Sequence, residues 1–153
     1  MSTLVAGIGN IFLGDDGFGV EVVRRLAGEA MPEGTRVADY GIRGLHLAYQ
    51  LLEGWDTVIL VDAVSRGAPP GTVFVIEPDL AAPTPDAPMN AHGMDPATVL
   101  ATVKSLGGTL KRVLVVGCEP QEIEPGIGLS APVQQAVDEA ARVVRRLVGR
   151  AAS

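Results

Sequence analysis

The chain has 153 residues, of which 47% are hydrophobic and 20% are charged, and this is the composition of one folded domain rather than of a disordered segment. Its net charge of −6 and its 4% of aromatic residues exclude the basic surface and stacking rings of a nucleic-acid-binding protein. No apolar run reaches the roughly 18 residues of a membrane span, and no basic segment precedes the first apolar stretch as in a signal peptide. We therefore expect a single cytoplasmic domain over residues 1–153, monomeric, with no nucleic-acid or membrane partner.

The first half of the chain alternates strand and helix patterns. Three apolar runs have the length of buried strands, at residues 3–8, 35–39 and 57–62. After Asp15-Asp16-Gly17, apolar residues recur at helical spacing at Val20, Val23, Ala27 and Ala30. A second helix is predicted near residues 43–53, and its apolar face carries Leu45, Tyr49 and Leu52.

The second half contains two more strands. The connection after the third strand is too short for a crossover helix, so a fourth strand near residues 72–77 is predicted to be antiparallel. A proline-rich loop follows, and Asp95-Pro96 is typical of a helix N-cap with proline at the first helical position. A fifth strand near 112–116 and a helix near 131–149 complete the chain. The pattern predicts a three-layer α/β/α sandwich around a five-stranded, mostly parallel twisted sheet with one antiparallel strand.

Three side chains that can bind metals are predicted to meet at one edge of this sheet. Ligand sites in open α/β sheets lie beyond the carboxyl ends of the parallel strands. Asp16 follows the first strand, Asp62 ends the third, and His92 precedes a helix that must begin at the same edge. Two carboxylates and an imidazole suit a divalent ion such as nickel, zinc or manganese. The alternative is that each has an ordinary role in a helix turn or a loop.

A nucleotide site is the weaker interpretation of the same region. Gly7 and Gly9 follow the first strand, and Asp39 at the end of the second could bind a ribose. However, Phe12 stands where the dinucleotide fingerprint has its third glycine, and the acidic pair before the first helix would repel a pyrophosphate.

Two further side chains, Cys118 and His46, are not assigned to the predicted site. Cys118, the single cysteine, follows the fifth strand and could form a nucleophilic pair with His92, but a lone cysteine after an apolar strand is more often inert packing. His46 lies on the polar face of the second predicted helix, and we expect it to be solvated.

A series of short motifs spans nearly the whole chain in a fixed order. They are Gly7-Ile8-Gly9-Asn10, Gly14-Asp15-Asp16-Gly17-Phe18-Gly19-Val20, Asp39-Tyr40-Gly41-Ile42-Arg43-Gly44-Leu45, Val61-Asp62-Ala63, His92, Gly117-Cys118-Glu119-Pro120 and Glu124-Pro125-Gly126-Ile127-Gly128-Leu129-Ser130. Together they resemble the hydrogenase maturation endopeptidases, which process the large subunit of nickel-iron hydrogenases.

The resemblance implies an enzyme that removes the C-terminal extension of the hydrogenase large-subunit precursor after nickel insertion. It implies that Asp16, Asp62 and His92 bind the metal, which is nickel presented by the precursor, with other divalent metals as possible substitutes. Asp39 is the candidate catalytic carboxylate that handles the proton during cleavage. Tyr40 stands where other members often have glycine, and we expect it to narrow the substrate path. A non-catalytic chaperone that inspects nickel with the same ligands is the alternative function.

Overall fold

The computed structural model describes residues 1–81 and 95–153. The strands of this part are β1 (Thr3–Ile8), β2 (Thr35–Gly41), β3 (Thr57–Ala63), β4 (Val73–Ile76) and β5 (Val113–Cys118). Its α-helices are α1 (Phe18–Leu26), α2 (Gly44–Leu51), α3 (Pro96–Ser105) and α4 (Ala131–Ala152), and a short 3₁₀ turn covers Gly14–Gly17. None of the helices in these two ranges is long and apolar enough to cross a membrane.

The sheet has the order β2-β1-β3-β5-β4. Neighbouring strands are parallel except β4, which is antiparallel to β5. This confirms the predicted α/β architecture and the antiparallel fourth strand. The carboxyl ends of β1, β2, β3 and β5 therefore lie along one border of the sheet, called the carboxyl edge below.

Helices cover both faces of the sheet because its central strands are apolar on both sides. One core cluster joins side chains such as Val5 and Ile59 to α1 and α4, and the other joins Leu4 and Leu60 to α2 and α3. The carboxyl edge is thus supported from both sides by buried side chains.

Two helices differ from the sequence prediction. Helix α1 ends at Leu26, so Ala27 and Ala30 lie beyond it and are exposed. In α2 the predicted apolar face is the outer one: the exposed fractions of Leu45, Tyr49 and Leu52 are 57%, 56% and 37%, and the face that packs inward carries Leu47, Ala48 and Leu51. The prediction was wrong because α2 is apolar on two stripes at helical spacing, and the sequence does not say which stripe the sheet covers.

Candidate functional site

The turn after β1 brings Asp16 to the carboxyl edge. Its Oδ2 accepts a hydrogen bond from the backbone N–H of Asn10 at 2.8 Å. Gly9 makes this tight turn possible, because its φ is +134° and a Cβ at this position would lie 1.9 Å from the carbonyl oxygen of Asp16. The same Cβ would lie 3.6 Å from Oδ1 of Asp62. Gly9 therefore lies between the backbone of Asp16 and the carboxylate of Asp62.

Asp62 is a buried carboxylate with acidic neighbours. It is the penultimate residue of β3, and it is 4% exposed. Burial raises its pKa well above the ordinary value, the charges of Asp16 and Asp95 raise it further, and a hydrogen bond from the Ala63 N–H at 2.8 Å opposes the rise only in part. Among the described residues, no basic side chain forms an ion pair with it. Such a group is suited to receive a cation.

A pocket of about 430 Å³ opens beside Asp62. Its walls come from β3, β4, β5 and the start of α3, and most of them are apolar, including Val64, Ile76, Leu100 and Val115. Asp95 lines it too and is the N-cap of α3, as predicted, because its Oδ1 accepts a hydrogen bond from the Thr98 N–H at 2.7 Å. The pocket can hold an apolar side chain next to the Asp62 carboxylate.

His92 lies outside the described residues, so its predicted place as the third metal ligand stays a prediction. Within residues 1–81 and 95–153, no group of three His, Cys, Asp or Glu side chains could hold a metal ion. Of the three predicted ligands, Asp16 and Asp62 are those that this part of the chain brings together. These two carboxylates supply oxygen donors, and no basic side chain of the described residues is paired with Asp62, so they fit a divalent ion that completes its coordination elsewhere.

Asp39 lies on the other face of the sheet from Asp62. In the strand register it pairs with Gly7, beside Val61, so it faces α1 and α4. The Nε of Arg24 lies 3.8 Å from its Oδ2. The structure therefore places this candidate catalytic carboxylate at the carboxyl edge but not in contact with Asp62.

Tyr40 is a buried residue of the core. Its side chain is 3% exposed and belongs to the core cluster under α2 and α3, with its ring centroid 5.8 Å from that of His46. The burial of the ring contradicts the expectation that Tyr40 narrows the substrate path, because Tyr40 lies on the same face of β2 as Ala38, the face that packs under α2 and α3. His46 itself is exposed, as predicted.

Cys118 is buried and its thiol is not activated. It is fully inaccessible, and burial, followed by the nearby negative charges of Asp15, Glu139 and Glu119, raises the pKa of the thiol to about 12. The thiolate needed for nucleophilic attack is therefore not available near neutral pH, in agreement with the packing interpretation.

Sequence reasoning missed the role of Asp15. This carboxylate is 1% exposed and accepts four hydrogen bonds, of 2.7 to 3.0 Å, from the N–H groups of Gln121, Glu122 and Ser130 and from the Ser130 hydroxyl. Burial by itself raises its pKa, but these bonds together outweigh burial and hold the pKa below its ordinary value. No local pattern could reveal partners that are more than a hundred residues away.

Glu119 has a similar role that the sequence did not reveal. It is 6% exposed, and its Oε1 accepts hydrogen bonds from the N–H groups of Arg66 at 2.7 Å and Ala68 at 2.9 Å. It thereby holds the loop that follows the end of β3, next to Asp62.

Comparisons with known proteins agree with this architecture. The hydrogenase maturation protease family matches residues 20–146. The chain is 36% identical to the hydrogenase expression/formation protein HupD of Rhodobacter capsulatus, over 93% of this chain and 70% of that protein. It is 34% identical to a putative hydrogenase maturation protease of Methanocaldococcus jannaschii, over 92% of each chain.

A solved structure extends the similarity to the fold. The hydrogenase maturating endopeptidase HybD of Escherichia coli superimposes with a TM-score of 0.82 at 28% sequence identity, covering 99% of this chain and 94% of that one. Family match, sequence identity and fold thus agree over almost the full length. The chain belongs to the hydrogenase maturation protease family.

Proposed function

We propose that this protein is an endopeptidase that removes the C-terminal extension of a nickel-iron hydrogenase large-subunit precursor after nickel has been inserted. The observation that carries the proposal is the pair formed by Asp16 and the buried carboxylate of Asp62 at the carboxyl edge, beside an apolar pocket. Family membership supports the reaction class, and the names of the relatives, which refer to hydrogenase maturation, support a hydrogenase as the substrate.

In this proposal, Asp16, Asp62 and His92 hold the nickel that the precursor presents. The chemistry that such an ion supplies is polarisation of a carbonyl group or activation of water. The chain contributes the orientation of the ligands: the Asn10 N–H fixes the Asp16 carboxylate, and β3 fixes Asp62. A precursor without nickel leaves the Asp62 charge without its cation, so it binds less well and is not cut.

The pocket beside Asp62 orients the peptide. An apolar side chain near the scissile bond enters it, which excludes water and holds the carbonyl near the ligand pair. Asp39 handles the proton from the other side of the carboxyl edge, where the Nε of Arg24 lies 3.8 Å from its Oδ2. The proposal keeps the cytoplasmic location and the monomeric state predicted from the sequence.

The test is a processing assay. Purified protein is incubated with nickel-loaded and nickel-free large-subunit precursor, and the mass of the precursor is measured. We expect loss of a short C-terminal peptide from the nickel-loaded form only, and no loss with the His92→Ala variant. An unchanged mass under all conditions would contradict the proposal and would favour a chaperone that inspects nickel without cutting.

A further inference from the structure

Three large apolar side chains are exposed on two neighbouring loops at the carboxyl edge. The exposed fractions are 62% for Phe12, 46% for Ile123 and 81% for Ile127. Single exposed apolar residues are common on proteins and need no explanation, but a cluster of them marks a surface that another molecule covers. These three residues are called the loop-pair surface below.

The two loops are joined through their backbones. The Gly126 N–H donates to the carbonyl oxygen of Phe12 at 2.9 Å, and the Gly14 N–H donates to the carbonyl oxygen of Gly126 at 3.0 Å. Ile127 directly follows Gly126 in the chain. Phe12 and Ile127 are therefore neighbours in space although they come from opposite ends of the sequence.

The buried carboxylate of Asp15 holds this arrangement in place. It accepts hydrogen bonds from Gln121, Glu122 and Ser130. These bonds fasten both ends of the loop that carries Ile123 and Ile127 to the turn that follows Phe12. The surface is therefore formed before any partner arrives, and binding does not carry the entropy cost of ordering a loop. These hydrogen bonds explain the conformation of the loop backbones. They do not explain why the exposed side chains of the loops are apolar.

The loop-pair surface borders the candidate metal site. Asp16 follows Asp15 directly, and Asn10, two residues before Phe12, donates its N–H to the Asp16 carboxylate at 2.8 Å. A molecule that covers the loop-pair surface is thereby placed next to the Asp16 and Asp62 pair.

The charge around the surface indicates the chemistry of its partner. The residues on either side of Ile123, Glu122 and Glu124, are both acidic and exposed. A second copy of this chain, paired across a twofold axis, would bring these acidic groups towards one another. The surface instead fits a partner with apolar side chains flanked by basic ones.

We infer that the loop-pair surface is the docking site for the folded body of the large-subunit precursor, which binds through an apolar patch flanked by basic side chains. This inference rests on the proposed function and adds a second contact to it. The metal site and the pocket engage the segment that is cut, whereas Phe12, Ile123 and Ile127 hold the rest of the substrate.

The experiment compares a Phe12→Ser/Ile127→Ser double variant with a Leu106→Ser control. Leu106 is an exposed apolar side chain, 42% accessible, that follows α3 at the opposite edge of the sheet. For each protein, the affinity for nickel-loaded precursor is measured by calorimetry, KM and kcat are measured from cleavage, and Tm is measured by calorimetric unfolding.

We expect the double variant to raise KM and Kd about tenfold, which corresponds to about 1.4 kcal/mol, with kcat and Tm unchanged. The control should behave as the wild type. An unchanged Kd in the double variant, or a fall in kcat alone, would overturn the inference. If the wild type binds the precursor without cutting it, the proposed protease function fails and the Kd values alone decide the inference. A wild type that does not bind the precursor would overturn both.

Discussion

Asp15 and Asp62 are both buried carboxylates of the same region, 1% and 4% exposed, yet their pKa values move in opposite directions. Asp15 accepts four hydrogen bonds, which more than compensate for its burial. Within the described residues, Asp62 accepts one, from Ala63, and faces the negative charges of Asp16 and Asp95. The comparison teaches that burial does not by itself make a carboxylate reactive, because the partners of the charge decide whether it stabilises the fold or requires a cation.

The largest effect is expected for Asp62→Asn. We expect cleavage to fall by about 1000-fold, because a ligand of the ion is lost. The metal-free variant should keep or exceed the wild-type Tm, since burial and Asp16 both oppose ionisation of the Asp62 carboxyl and the amide cannot ionise. Rates of precursor processing and calorimetric unfolding in a chelator measure the two effects. A clear fall in Tm would show that the Asp62 charge supports the fold.

In contrast to Asp62→Asn, the Asp15→Asn variant should lose stability rather than a ligand of the ion. The amide cannot accept all of the hydrogen bonds of the carboxylate, so we expect the free energy of unfolding to fall by about 3 kcal/mol. Urea denaturation measures this loss, and Asp138→Asn is a matched control because Asp138 is exposed and forms a surface ion pair with Arg25. Equal stability of the two variants would contradict the structural role of Asp15.

The same role predicts a pH dependence. The pKa of Asp15 in the folded protein lies below its ordinary value of 3.8. Its contribution to stability is therefore present above that value and is lost as the pH falls through the lower value of the folded state. The free energies of unfolding of the wild type and of Asp15→Asn, measured as the pH is lowered, should become equal once the pH falls below the pKa of Asp15 in the folded protein.

Asp39→Asn tests the carboxylate on the other face of the sheet. If Asp39 handles the proton, we expect kcat to fall by about 100-fold without a change in the affinity for nickel. Arg24→Ala provides the control, because it removes the 3.8 Å ion pair and leaves the carboxylate in place. A kcat equal to that of the wild type would remove Asp39 from the mechanism.

The smallest effect is expected for Cys118→Ala. Because burial raises the thiol pKa to about 12, the folded protein should react slowly with iodoacetamide at neutral pH. The variant should process the precursor at the wild-type rate. A loss of cleavage with Tm unchanged would restore the nucleophile interpretation.

The features that the sequence predicted correctly rest on local signals. The apolar run before Asp62 identified β3, Asp95-Pro96 identified the start of α3, and the short connection after β3 identified the antiparallel strand. The features it could not predict depend on packing over long distances. Which apolar stripe of α2 is buried is decided only when the helix packs on the assembled sheet. The hydrogen-bond partners of Asp15 likewise come into reach only in the folded protein.

The most direct test of the central claim is a calorimetric titration of nickel into the wild type and into Asp16→Asn, Asp62→Asn and His92→Ala. If the three side chains share one ion, the wild type binds one nickel per chain and each replacement weakens its affinity by at least about tenfold. A nickel affinity that is the same in all four proteins would contradict the account.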